Sequence, residues 1–305
     1  IEPRSVGRAR FRAWRAAGAL AMSPPPADVN SQTQSVVALV SRFFETTHTE
    51  KGKTVQPHEL ITQLGITVGT GAFGRIRVVE VKALPGWLAD SGVAKGSSDE
   101  VAAHGYFACK SMRKTEIVRL KQVDHVRSES LIASFVNHPF CVTCFYRFQD
   151  EKNAYLLTEF VPGGHLYSLI CLNGRLSNET SRFFAAQVVM AMQYLHSVNI
   201  VYRDLNPENV LLTTDCYVKM TDFGLSKSMN LLDPTVRTWT LCGKPEYLAP
   251  EIIKSQGHSR EVDWWALGVI IHEMLAGYPP FYDKDSFKIY QAVLGAKITM
   301  ESFPK

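Results

Sequence analysis

Tyr202-Arg203-Asp204-Leu205-Asn206-Pro207-Glu208-Asn209-Val210-Leu211-Leu212 is the stretch whose reading decides the fold. It holds a carboxylate, Asp204, and a carboxamide, Asn209, five positions apart, and runs into an apolar Val-Leu-Leu. Downstream, a strand-like segment at 217–220 leads into Thr221-Asp222-Phe223-Gly224, a second acidic site. Phosphoryl transfer needs this division of labour: metal charge at the phosphates, and a carboxylate to orient the incoming hydroxyl. In that chemistry Asp204 accepts the proton, Asp222 chelates magnesium ions and Asn209 holds the second of them. Asp-Phe-Gly alone is a common tripeptide, so the reading depends on what stands upstream.

Upstream, a strand at 61–68 precedes Gly69-Thr70-Gly71-Ala72-Phe73-Gly74-Arg75-Ile76, and 77–82 alternates as a second strand. A dinucleotide-binding unit would open a helix after such glycines, whereas here a strand follows. A strand–loop–strand hairpin can lay backbone N–H groups over phosphate oxygens with no Cβ in the way. Lys110 ends the apolar strand 106–110 and needs an anionic partner. The predicted helical stretch 111–136 offers Glu129, a pair that aims the lysine at ATP phosphates. The strand 155–159 leaves into Val161-Pro162-Gly163-Gly164, a hinge whose backbone at Glu159 and Val161 is free for an adenine edge. Beyond it the chain turns helical at 166–172 and 177–196, where Ser177-Asn178-Glu179-Thr180 is helix-start chemistry.

At 305 residues and 46% hydrophobic, the chain is long enough for two lobes with cores of their own. The formal charge of +4 is unevenly placed. Arg4, Arg8, Arg10, Arg12 and Arg15 against Glu2 leave 28 basic and 28 acidic residues for the rest of the chain. A nucleic-acid-binding domain would keep its basic surplus on the folded part, so that class is excluded. Cys141-Val-Thr-Cys144 has zinc-knuckle spacing but no second Cys or His pair follows, and the six cysteines read as free thiols of a reducing compartment. No apolar run approaches the ~18 residues of a membrane span; the densest, 264–271, ends at His272-Glu273.

Four regions follow. Residues 1–35 read as disordered or non-native, with Met22 favoured as a true start over a transit segment. Residues 36–59 read as a short amphipathic helix (36–44) and a linker. Residues 60–158 form a small lobe interrupted by a loop-like insertion at 83–104, and residues 159–305 a larger, mainly helical one.

With Ala249-Pro250-Glu251 closing the ordered set, the chain resembles the AGC group of eukaryotic Ser/Thr protein kinases. Within it, residues 60–305 are similar to the catalytic subunits of cAMP-dependent kinases, most specifically through 237–243, 245–251 and 262–268. The resemblance implies an α+β, bilobal kinase fold: a small antiparallel β-sheet lobe with one regulatory helix, and a larger helical lobe. It implies ATP and Mg2+ as cofactors and adds Ile76, Ala108, Leu211 and Thr221 to the nucleotide site. Thr240 becomes the activation-loop phosphosite, with Arg203, Lys227 and His125 as its basic partners. Asp263 would hold the backbone of the catalytic loop, and Thr158 would gate a back pocket. Glu208, Glu246 and Glu273 match positions that meet basic side chains of protein substrates. Trp239, Leu241 and Tyr247 lie where a cyclic-nucleotide-binding regulatory subunit docks. The expected location is cytoplasmic, with the nucleus as a second site. A cGMP-dependent kinase is the less favoured relative, since that family carries its own cyclic-nucleotide-binding domain.

Three departures bear on activity. Asn206 stands where the family has a lysine contacting the transferring phosphate, and Lys244 where it has a threonine bonding the catalytic aspartate. One reading joins them: the ammonium has moved between neighbouring loops and Lys244 becomes catalytic. The other makes the protein a scaffold that binds ATP and partners with weak catalysis. His165 replaces a glutamate that binds a substrate arginine, which predicts a basic-directed kinase with weakened selection three residues before the target. The chain also ends at Phe303-Pro304-Lys305, before helices and a tail that the family carries, and the C-lobe is expected to be incomplete.

Overall fold

A computed structural model describes residues 49–50, 53–54, 61–70, 74–81, 106–150, 152–230, 233 and 235–295. The expected disordered segment 1–35, the helix at 36–44 and the insertion at 83–104 lie outside the described residues. Within the expected linker, β1 (Thr49–Glu50) and β2 (Lys53–Thr54) pair antiparallel, Thr49 opposite Thr54.

The small lobe is an antiparallel sheet of order β3-β4-β5-β7-β6. Its strands are β3 (Ile61–Thr70), β4 (Gly74–Val81), β5 (Tyr106–Arg113), β6 (Cys144–Gln149) and β7 (Asn153–Glu159). Phe107 and Cys109 of β5 are buried on one face, while Met112 is buried on the opposite face against Ile117 and Leu156, so both faces of this strand are covered. Phe107 and Cys109 join Val79, Tyr146, Phe148 and Leu157 in that lobe's core.

The helical stretch expected at 111–136 is corrected in two places. β5 runs on to Arg113, and the helix is split into α1 (Lys114–Arg119) and α2 (Val123–Phe135). The break is a Schellman cap: Gln122 N donates to Ile117 O at 2.9 Å and Lys121 N to Val118 O at 3.0 Å. Lys121 takes the left-handed position at φ 54°, where glycine is usual. No sequence signal marks the stop, because the residue there is an ordinary helix former.

The larger lobe is built on α4 (Asn178–Ser197) and α6 (Glu261–Ala276), which pack on each other. Ser177 caps α4, its Oγ accepting from Thr180 N at 3.1 Å, as its start chemistry predicts. Phe184, Val188, Ala191, Met192 and Leu195 recur on one face of α4 and are buried with Ile270 and Met274 of α6. α3 (Leu166–Asn173) adds Leu166 and Ile170 to this core. Two short ribbons lie over it: β9 (Val210–Leu212) with β10 (Val218–Met220), and β8 (Ile200–Val201) with β11 (Lys227–Ser228). α5 (Pro250–Ile253) and α7 (Ser286–Gly295) complete the described part. No helix among the described residues is long and apolar enough to cross a membrane.

Candidate active site

β3 and β4 form the expected glycine hairpin, with Gly69 opposite Ile76; Gly71 and Phe73 lie outside the described residues. Gly74 has a second, purely structural reason to be glycine. A Cβ there would stand 1.7 Å from the Ser111 carbonyl oxygen of β5. Lys110 lies opposite Ile76 of the hairpin on one side and Leu156 on the other.

Lys110 Nζ makes an ion pair with Glu129 of α2 and stands 3.5 Å from Asp222 Oδ1. Glu129 is buried, so the pair fastens α2 to the sheet. Burial opposes the Lys110 charge, but Glu129 and Asp222 outweigh it and hold its pKa above the ordinary value. The expected lysine–glutamate pair is therefore closed, and it faces the second acidic site.

At the hinge, Ala108 lies opposite Thr158, whose Oγ1 donates to Ala108 O at 3.3 Å. The Glu159 side chain turns inward. Its Oε1 accepts from Thr143 N and from Lys219 Nζ, each at 2.8 Å, and both ionic side chains are less than a tenth exposed. Lys219 sits on β10 immediately before Met220-Thr221-Asp222, so this buried pair ties the hinge to the strand carrying the second acidic site. Breaking one side leaves an uncompensated buried charge. Lys219→Met is expected to lower the unfolding free energy by about 3–5 kcal/mol, while Lys219→Met with Glu159→Gln costs much less. Urea midpoints at unchanged slope would measure both.

The catalytic loop is held from below. Asp263, at the start of α6 and 1% exposed, accepts from Tyr202 N at 2.9 Å, Arg203 N at 2.7 Å and His196 Nε2 at 2.7 Å. This grip lets Arg203 adopt φ 66°, a left-handed conformation that turns the chain toward Asp204. Tyr202 is fully buried and its hydroxyl donates to the Thr221 carbonyl, joining this loop to the segment before Asp222. Asp222 is itself left-handed at φ 57°, and its Oδ1 accepts from Gly224 N at 3.0 Å.

Asn206 has a role that the missing lysine concealed. It is 1% exposed, caps the 3-10 turn Pro207–Asn209 by accepting from Glu208 N at 3.1 Å, and donates to Asp204 O at 2.9 Å and Asp204 Oδ1 at 3.2 Å. Asn209 donates to Asp204 Oδ2 at 2.8 Å and to Asp204 O at 2.9 Å. Two carboxamides thus fix both oxygens of Asp204. Burial raises its pKa to about 6, against these hydrogen bonds and the Lys244 charge, which pull it down, and with Asp222 adding to the rise. Asp204 is ionised at neutral pH and poised to accept a proton.

The activation segment differs in detail from the expectation. Arg203 Nη1 and Lys227 Nζ donate to Thr238 Oγ1 at 3.3 and 3.0 Å, and the Thr238 backbone pairs both ways with His258. Thr240, the expected phosphosite, is exposed two residues on. His125 lies on α2 and bonds Gln122. The expected substrate carboxylates gather beside the loop. Glu208 is exposed and ion-paired to Lys244 at 2.6 Å, and buried Glu273 accepts from Tyr247 Oη at 2.5 Å. Burial raises the Glu273 pKa. The electric influence of Glu246 is felt at Glu273 as well. His165 Nδ1 donates to Glu208 O at 2.5 Å, and the backbone of His165 bridges Leu211.

These residues fit magnesium and a nucleotide triphosphate. Asn209 spends its Nδ2 on Asp204, which leaves its side-chain carbonyl oxygen as the donor a hard cation takes. Its backbone carbonyl accepts at 3.0 Å from the N–H of Thr221, the residue before Asp222. Lys219 and the capping function of Asn206 were not foreseen. A charge inside the apolar Val218–Met220 strand was the available signal for the first, since such a lysine demands a buried acid.

The family description "Protein kinase domain" matches residues 92–303. The human cAMP-dependent protein kinase catalytic subunit PRKX is 47% identical over 239 residues, covering 78% of this chain and 59% of the relative. The cAMP-dependent protein kinase catalytic subunit of Dictyostelium discoideum is 46% identical over 232 residues, 76% of this chain and 32% of the relative. The Drosophila melanogaster cAMP-dependent protein kinase catalytic subunit 3 is 45% identical over 235 residues, 77% of this chain and 36% of the relative. The chain thus spans less than two thirds of the length of these three relatives. With the ordered motifs, the two lobes and the closed Lys110–Glu129 pair, the match shows that the chain belongs to the protein kinase domain family.

Proposed function

We propose that this chain carries the catalytic core of a cAMP-dependent-type Ser/Thr kinase, which transfers the terminal phosphoryl group of ATP to Ser or Thr in basic protein substrates. The observation that carries the reading is Asp204, held by Asn206 and Asn209 with its pKa raised to about 6 and within electrostatic reach of Asp222, which Lys110 meets at 3.5 Å. Bound Mg-ATP supplies the phosphoryl group and the neutralisation of its charge. Asn209 and Asp222 hold the metal; Lys110, braced by Glu129, positions the phosphates. The Glu159 carbonyl and the backbone of Val161, with Ile76, Ala108, Leu211 and Thr221, frame the base; the Glu159 N–H, expected to be free, is spent on Thr143 O at 2.9 Å. The hydroxyl proton passes to Asp204 as the new O–P bond forms and ADP departs.

Magnesium-dependent transfer to a serine peptide with flanking arginines, lost in Asp204→Asn, tests this. Nucleotide binding without any transfer would overturn it in favour of a scaffold, a reading that no observation favours. Phosphorylation of exposed Thr240, drawing on Arg203 and Lys227, is the proposed control. The names of the relatives, together with Trp239 and Leu241 being 66% and 60% exposed, support docking of a cyclic-nucleotide-binding regulatory subunit.

Lys244 is proposed to stand in for the charge that Asn206 lacks. Its ammonium acts on Asp204 across a recess that both residues line. Asn206→Lys and Lys244→Thr are then expected to change kcat non-additively, and simple additivity in the double variant would sink the coupling.

A further inference from the structure

Glu208 is fixed by its backbone and exposed at its carboxylate. Its N–H is capped by Asn206 Oδ1 at 3.1 Å and its carbonyl accepts from His165 at 2.5 Å. The side chain, 51% exposed, meets Lys244 Nζ at 2.6 Å. Lys244 reaches it from another loop, between Gly243 at φ 108° and the 3-10 turn Pro245–Tyr247. The Lys244 charge is also felt at Glu273, where Glu208 and Glu246 act with opposite sign. Among the described residues, the one carboxylate in contact with this ammonium is Glu208, and the charges of Lys244, Glu208 and Glu246 all reach Glu273.

We infer that Lys244 is a specificity-determining residue: an internal competitor that occupies Glu208 and must be displaced by a basic side chain of the substrate. The inference rests on the reading above that Glu208 meets such a side chain. An exposed pair between a flexible lysine and a carboxylate holds weakly and is screened by salt, so displacement is permitted. An incoming arginine offers a two-pronged fork where Lys244 offers a point charge, so arginine displaces it more readily than lysine does. The consequence is muted selection for basic residues next to the target, with arginine favoured over lysine where selection remains.

The test needs no catalysis. Peptides with alanine at the acceptor position, and one arginine or norleucine walked along the preceding positions, are titrated against the chain by fluorescence anisotropy. At the most responsive position, Lys244→Met is expected to raise the norleucine-to-arginine Kd ratio by about 2- to 5-fold. The gain should vanish in Lys244→Met with Glu208→Gln, and shrink at 1 M salt. An unchanged or smaller ratio in Lys244→Met overturns the inference, as does a gain that survives Glu208→Gln. Lys244→Gln serves if thermal melting shows the methionine variant misfolded. Failure of the wild-type chain to transfer phosphate would overturn the kinase reading alone, because the binding ratios are read independently of it.

Discussion

Asp204→Asn is expected to lower kcat by about a hundred- to ten-thousandfold, the range for loss of a positioned general base. Nucleotide binding should persist, since Lys110, Glu129 and Asp222 do not depend on Asp204 for their geometry. In the wild-type chain kcat/KM should rise with pH through about 6, as the Asp204 carboxyl ionises, and that limb should disappear in the variant. The same substitution should change how the stability of the fold depends on pH. Burial raises the folded-state pKa of Asp204 from 3.8 to about 6, so the native state binds its proton more tightly than the unfolded chain does. Stability is therefore lost as pH rises through that window. Asp204→Asn removes this penalty, which is about 1–3 kcal/mol at pH 7 and vanishes below about pH 4, but turns an N–H2 toward a carboxamide donor. The expected signature is therefore a difference in stability between variant and wild type that shifts in the variant's favour from pH 4 to pH 7. Thermal melts at pH 7 and pH 4 read the stability arm, and single-turnover phosphate transfer reads the other. A variant with full turnover would mean that the proton goes elsewhere.

Asp263→Ala is expected to give the largest loss of stability. Its carboxylate accepts two backbone N–H groups and one imidazole nitrogen, all within 2.9 Å and all buried or partly buried. Hydrogen bonds to a charged group contribute about 1.5–3 kcal/mol each, and the donors left behind have no water to turn to. A loss of about 5 kcal/mol should lower Tm by roughly 10–20 °C in a domain of this size. Because the bonds hold Tyr202 and Arg203, Asp204 should lose its position even below the new Tm, and kcat should fall with it. Asp263→Asn keeps one acceptor oxygen but turns an N–H2 toward a donor, so it should recover only part of the loss. A shift under about 3 °C for Asp263→Ala would show that the loop is held by other means.

Much of the architecture was legible along the chain because it is written in local chemistry. Ser177 predicts its own helix, since a hydroxyl at that spot can satisfy the free N–H of Thr180. The apolar run at 106–110 predicts a strand, and its Lys110 announces Glu129 because a desolvated ammonium needs an acid, although the strand continues past it to Arg113. The split between α1 and α2 was illegible: Lys121 at φ 54° carries no sequence mark, and the left-handed cap is held by hydrogen bonds that only the folded segment makes. Asn206 read as a deficit, yet it caps one turn and ties down Asp204. Gly74 read as a phosphate glycine, and the carbonyl of Ser111 on the neighbouring strand excludes a Cβ there as well.

By itself, then, the sequence determined which groups exist: the carboxylates of Asp204 and Asp222, the amide of Asn209, the lysine at 110, and the order that brings them into one cleft. What only the tertiary structure decided is how each is used. Asp204 moves toward pKa 6 because burial outweighs two amide hydrogen bonds. Lys219 becomes a hinge tie because Glu159 turns inward to meet it. Lys244 rests on Glu208 because two separate loops bring an ammonium within 2.6 Å of a carboxylate. Residue type is a property of the chain; desolvation and the distance between charges far apart in sequence are properties of the packing, and those set the chemistry of the site.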